Sequence, residues 1–284
     1  MSHVKEIDQR QLNSDNQQPD TPLKHPFFVE DILPLEDGKP AITCIDDPQI
    51  PSLIKEVIYE LKLPIVAHSE DVWGLFWDIK HLETTRRVRE IKSRPPEQPF
   101  TLFGPWEILT KIADHEFLAQ NEASMVMAEI LKDPEAVRKI FTNIVIVRVP
   151  VVQNVGEILG ISDEALADII HWDEMHHYRT IQMLSNGIDD TLQTHLYCQP
   201  DSLIAACSYN RRGEDSNIDD TQRAIEEATE DNLPLVVTRS KKPQHTKFLG
   251  GSHPIFDTVP WEFVREWSGG RDTKRVKQVL LGKS

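Results

Sequence analysis

Apolar positions follow two rhythms along this chain, and the alternation between them sets out helices and strands in turn. Leu53, Ile54, Val57, Ile58 and Leu61 recur at helical spacing behind Pro51, a residue suited to a first helical turn. The short run Ile65 to Ala67 predicts a buried strand, followed by a polar turn from His68 to Asp71 and an aromatic–glycine step at Trp73-Gly74-Leu75. A basic helix comes next, with Leu82, Val88 and Ile91 inward and Arg86, Arg87, Arg89 and Glu90 left to solvent. Phe100 to Phe103 predicts a second strand. A third helix begins near Pro105, with Trp106, Leu109, Ile112 and Ala113 on its buried side. Residues 120 to 141 are helical with a break at Asp133-Pro134, where proline cannot continue a helix.

The second half repeats the pattern. Asn143 to Val149 (NIVIVRV) has the β-branched composition of a buried strand. Ser162 caps a helix whose stripe is Leu166, Ile169 and Ile170, and whose periodicity carries it through His171 to His177. Ser202 to Cys207 is a strand that runs into the polar turn Ser208 to Gly213. A helix from Asp219 to Glu230, a strand from Leu233 to Thr238 and a short strand at Ile255-Phe256 complete the series, with Ala41 to Ile45 as an edge strand. Helices alternating with buried strands predict an α/β fold.

Composition narrows the function classes. The 284 residues carry 46 acidic and 31 basic side chains, a formal charge of -15. That excess argues against direct nucleic-acid binding, which neutralises many phosphates with Lys and Arg, and leaves room for a local basic cleft for a small anion. No apolar run approaches the ~20 residues of a membrane span and the N-terminus lacks a signal-peptide core, so a cytoplasmic protein without membrane contact is expected. Cys44, Cys198 and Cys207 lie far apart, which implies neither a disulfide framework nor a zinc knuckle. His171 and His176 are five apart and do not stack as an i, i+4 pair of zinc ligands, so no metal site is assigned. The expected division is a flexible arm over 1–40, one α/β domain over 41–265 with a helical insertion of unassigned role at 151–195, and a basic tail over 266–284.

The candidate chemistry sits where the basic helix stops. Proline forbids further helix at Lys92-Ser93-Arg94-Pro95-Pro96 and pushes the preceding residue extended, so Lys92 and Arg94 leave the helix together. Side chains two apart share one face of an extended segment, and two cations fixed there in an acidic chain form a candidate anion site. Ser208-Tyr209-Asn210, a polar turn at a strand's carboxyl end, is a second candidate.

The order of these features resembles the YrdC-like family. Its T-[DE]-T-x-[YW]-G-L turn falls on Ser69-Glu70-Asp71-Val72-Trp73-Gly74-Leu75, and its K-x-R-P-x-x-K-P-[LF] segment on Lys92 to Phe100, with Gln98 at the second lysine. Its S-A-N-x-S-G turn resembles Ser208 to Gly213, with Tyr209 at the alanine, and its late S-T-V-x-D loop resembles Ser252 to Asp257. The family's W-P-G-P-x-T segment is absent. Arg148-Val149-Pro150 looks like its R-V-P, set far ahead of Ser208.

The resemblance implies a twisted mixed sheet flanked by helices, with an open cleft. It also implies ATP-dependent formation of a carbamoyl-type adenylate, as threonylcarbamoyl-AMP synthases make from an amino acid, bicarbonate and ATP, with Mg2+ as the nucleotide's counter-ion. Lys92 and Arg94 would be the catalytic cations, on the physical ground that a point charge and a planar fork suit phosphate oxygens. Ser208, Asn210 and Ser252 would join them on the nucleotide, with Ser69, Glu70, Trp73 and Tyr209 on the co-substrate. The changes at Tyr209 and Glu70 point to a co-substrate other than threonine, while Gln98 and the absent W-P-G-P-x-T segment favour the non-catalytic alternative below. The alternatives are an enzyme using carbamoyl phosphate and a non-catalytic nucleotide-binding module.

Overall fold

The apolar runs become the interior of one mixed sheet. The structure, a computed structural model, describes residues 39–69, 72–120, 122, 124–142, 145–173, 177–186, 190–210, 221–239, 253–259, 261–265 and 278. The expected arm and tail, apart from residues 39, 40 and 278, lie outside the described residues.

The strands in chain order are β1 (Ala41–Cys44), β2 (Ile65–Ser69), β3 (Val72–Asp78), β4 (Thr101–Phe103), β5 (Ile146–Pro150) and β6 (Ile170–Asp173). They continue with β7 (Tyr178–Leu184), β8 (Ile204–Ser208), β9 (Leu235–Thr238), β10 (Ile255–Asp257) and β11 (Glu262–Arg265). Their order across the sheet is β1-β9-β2-β3-β8-β4-β7-β5-β10-β11, and β6 pairs β7. Pairing is parallel at β1–β9, β2–β9, β4–β7 and β5–β10, and antiparallel at the other contacts. β2 and β3 are buried along their whole length, which explains the dense apolar and aromatic composition of residues 65–78.

Successive side chains point to opposite sheet faces, so each face has its own core. Trp73, Leu75, Trp77, Leu102 and Val147 pack on one face. It is covered by α2 (Leu82–Ile91), α3 (Trp106–Ile112), α5 (Met125–Leu131), α6 (Pro134–Phe141) and α10 (Thr221–Glu230), through residues such as Val88, Leu109, Met127, Phe141 and Ala224. Phe76, Phe103, Ile146, Ile204 and Ile255 pack on the other. Among the described residues that second face takes helical cover only from α1 (Ile50–Ile54), the π-helical stretch Lys55–Glu60 that continues it, and α9 (Thr191–Leu196). Its uncovered part is the floor of the cleft described below. Short helices α4 (His115–Gln120), α7 (Val155–Leu159) and α8 (Asp163–Ala167) complete the described elements.

Three sequence expectations change. The step Trp73-Gly74-Leu75 lies inside β3, because β2 runs on through His68 and Ser69 and Val72 pairs Ser69 across the hairpin. Residues 151–195 are not a helical insertion: β7 lies between β4 and β5 inside the sheet, and α8 stops at Ala167 before β6 takes His171 to Asp173. Leu166, Ile169 and Ile170 have helical spacing, yet Ile170 already pairs Ile181 of β7, so tertiary pairing overrides local periodicity. Finally, β11 has too few alternating residues to announce itself.

Candidate anion-binding cleft

The register of the sheet builds the cleft floor. Phe76 pairs Ala206, Ala206 pairs Thr101, Gln182 pairs Arg148, and Arg148 pairs Asp257, which makes a polar row across β4, β7, β5 and β10. Two residues along, Phe103 pairs Leu184 and Ile146 pairs Ile255, which makes an apolar row. These residues, apart from Asp257, line a cavity of about 420 Å3 with Ser69, Val72, Gly74, Arg94, Cys207 and Ser208 around them. That size suits a small-molecule site.

Arg148 is fixed by its neighbours. Its Nη1 lies 3.1 Å from Asp257 Oδ2, and the carboxylate is almost fully buried. With the Gln182 amide oxygen facing it, Arg148 also donates to Gln182 at 2.6 and 3.2 Å, while Thr101 Oγ1 lies 3.5 Å from the same amide. All three guanidinium nitrogens of Arg148 thus have protein partners, which fixes its orientation, and of its five N–H groups the second on each Nη is left for a ligand oxyanion. Sequence reasoning noted Arg148 without placing it in the site. Its signal was a charge interrupting the apolar run NIVIVRV. His171 and His253 also line the cleft and were not anticipated there.

The segment after α2 brings Arg94 to the cleft and turns Lys92 away. Lys92 keeps helical backbone angles and Ser93 adopts φ 45°, in the left-handed region, so the chain turns at once rather than extending. The two cations therefore do not share a face. Arg94 lines the cleft, donates from Nε to the Gln98 carbonyl at 3.2 Å and from Nη2 to the Pro99 carbonyl, and stands 4.8 Å over the Phe100 ring. Burial lowers its pKa, the Cys207 thiol opposes that, and Arg89 adds to it. Among the described residues no carboxylate forms an ion pair with Arg94.

Lys92 is buried instead. Its Nζ donates to Asn210 Oδ1 at 2.8 Å and to the Asn210 carbonyl, and Ser208 Oγ donates to the same Oδ1 at 2.7 Å. The two motifs thus meet through a three-residue network, with Ser208 facing the cleft and Lys92 and Asn210 behind it. Cys207 also lines the cleft: burial raises its thiol pKa, while Lys92 and Arg94 oppose the shift.

The remaining candidates divide. Ser69 lines the cleft and accepts a hydrogen bond from Asn186 Nδ2 at 2.9 Å. Trp73 does not reach the cleft: strand alternation points Val72 and Gly74 there and sends the indole into the opposite core, edge-on to His68. Tyr209 likewise packs in that core, 1% exposed, with its hydroxyl 2.8 Å from Asp231 Oδ2. Neither is a substrate contact in this geometry. Glu70 and Ser252 lie outside the described residues, as do Arg211 to Gly213.

No protein-family model and no curated protein matches the sequence. Solved structures do match. A variant of Sua5 from P. abyssi superposes with a TM-score of 0.59 at 15% identity, covering 84% of this chain and 63% of that one. YciO from E. coli gives 0.56 at 16% identity, covering 84% of this chain and 99% of the other. The chain has a YrdC-like fold. P. abyssi Sua5 complexed with L-threonine also matches, with a TM-score of 0.58 at 14% identity over 84% of this chain. This chain spans only about 60% of that Sua5 chain, whereas it covers nearly all of YciO. Among the described residues no helix is long and apolar enough to cross a membrane.

Proposed function

We propose that the chain is an adenylate-forming enzyme that joins a carbamate, made from bicarbonate and an amine, to the AMP portion of ATP. The observation that supports this most directly is the junction of the Arg94 segment and the Ser208–Asn210 turn at one cleft, through Lys92. In the reaction the amine and bicarbonate condense to a carbamate with loss of water. A carbamate oxygen then attacks the α-phosphorus, the new P–O bond forming as the bond to the bridging oxygen of pyrophosphate breaks. Charge grows on the departing pyrophosphate, and cations placed where it grows supply most of the catalysis in such transfers.

In this reading Arg94 and the Ser208 hydroxyl take phosphate oxygens, with Mg2+ carried in on the nucleotide. Lys92 is a positioning residue that holds Asn210 and, through it, Ser208. Arg148 takes the carboxylate of an amino-acid co-substrate. Ser69 faces the same space, and Ser252 and Glu70 keep the phosphate and co-substrate roles suggested by their motifs. That a protein of this fold, P. abyssi Sua5, is found complexed with L-threonine supports an amino acid as the amine.

The test is pyrophosphate release from ATP and Mg2+ with bicarbonate and a panel of amino acids. Release that requires both bicarbonate and an amino acid is expected. Release with carbamoyl phosphate in their place would move the assignment to that alternative substrate. Nucleotide binding without release under any condition would make the cleft a binding module.

A further inference from the structure

The cleft floor is amphipathic, and its two halves lie in fixed order. The polar row holds Arg148 with Asp257 and Gln182 locked beside it. One pleat repeat away, about 6.6–6.8 Å along the strands, lies the apolar row Phe103, Leu184, Ile146 and Ile255. Phe76 packs edge-on against Phe103, with ring centroids 5.1 Å apart, and extends the apolar surface toward β3. Resting on the adenylate reading above, we propose that the amine co-substrate is an amino acid with an apolar side chain of valine to leucine size. Its carboxylate is held by Arg148 and its side chain lies on this row.

Geometry and desolvation both lead to this class. An amino acid's carboxylate and side chain diverge from one carbon, so one group on Arg148 puts the other over the neighbouring row. The row's own side chains offer no hydrogen-bond donor or acceptor. A hydroxyl laid there loses its water without replacement, whereas a methyl of the same size does not. Threonine and valine differ by that exchange alone, and an apolar site separates such isosteres by up to about 100-fold. Longer aliphatic chains gain further contact with Phe76 and Phe103, and charged ones are excluded.

The experiment uses the full chain with ATP, Mg2+ and bicarbonate and compares valine, leucine and threonine by kcat/KM for pyrophosphate release. The same three amino acids are titrated calorimetrically against the protein with a non-hydrolysable ATP analogue. Valine or leucine exceeding threonine by at least about tenfold is expected, together with a smaller ratio in Ile146→Thr, which replaces an ethyl group of the row with a hydroxyl. Threonine equal to or better than valine overturns the inference and leaves the adenylate reading standing. Absence of release with every amino acid overturns the adenylate reading. The titration still judges the inference in that case, since tighter valine than threonine binding supports it and equal or absent binding overturns it.

Discussion

Arg89 and Asp168 meet in a clamp beneath the Arg94 segment: Arg89 Nε and Nη2 both donate to Asp168 Oδ1, at 2.9 and 2.6 Å. The same guanidinium donates to the carbonyls of Pro95 at 2.8 Å and Gln98 at 3.1 Å, and lies 4.6 Å from the Phe100 ring. One side chain of α2 thus ties the turn that carries Arg94 to the chain just before β6. Arg89→Ala should destabilise the fold by about 1–3 kcal/mol, less than a fully buried pair because the Arg89 side chain keeps 13% and the Asp168 side chain 21% of its exposure. Nucleotide affinity measured well below the melting temperature should fall too, and Arg89→Lys should recover only part of both, lacking the fork.

Lys92 is expected to act on stability as well as on the site. Lys92→Met keeps the stem and removes the donor that joins Asn210, so urea denaturation should show a loss of about 1–3 kcal/mol. Asn210→Ala should reproduce most of this, and the double variant should cost less than the sum of the two.

Gly104 is fixed by space. A Cβ there would overlap the Tyr197 ring and hydroxyl, which donates to the Phe103 carbonyl at 2.7 Å. Gly104→Ala should therefore cost about 1–3 kcal/mol in chemical denaturation, the usual penalty of overpacking. Gly104→Ala combined with Tyr197→Phe should recover little, since the ring itself is in the way.

Asp78, at the far end of β3, supplies a pH dependence unrelated to the cleft. Burial raises its pKa from 3.8 to about 6, against the hydrogen bonds from the Lys80 and Leu203 main chain. An acid whose folded pKa is raised stabilises the fold fully below its unfolded value. Its contribution is lost as pH rises through about 6. Asp78→Asn should remove this slope. The stability of Asp78→Asn relative to wild type should rise by about 2–3 kcal/mol between pH 4 and pH 8, measured by denaturant titration at each pH.

Most strands were legible because composition and context agreed in them: NIVIVRV, SLIAAC and LPLVVT are apolar runs bounded by turn residues. β7 was not, since YRTIQML mixes polar and apolar residues and its burial comes from β4, β5 and β6 around it. The two motifs of the site were visible, and so was their likeness to one family. What each side chain does was not. Spacing put Lys92 and Arg94 on one face, and the left-handed Ser93 separated them. Trp73 and Tyr209 lie in motifs yet face the core, because strand alternation and the Asp231 bond decide their direction. Arg148 gains its place only through register with Gln182 and Asp257, which lie 34 and 109 residues away in sequence.

The most direct test of the central claim is bicarbonate-dependent pyrophosphate release by the wild-type chain and by Arg94→Ala, with circular dichroism as the folding control. Arg94 is the cleft cation on the side of Ser208, its fork is aimed by carbonyls, and among the described residues no carboxylate pairs with it. Removing it should cost about 2–4 kcal/mol of transition-state stabilisation, the range for one positioned donor at a site of developing charge. That loss appears as a drop in kcat/KM of roughly 30- to 1,000-fold, with the fold intact. Turnover and nucleotide affinity in Arg94→Ala equal to those of the wild type would contradict the account and place the anion site elsewhere.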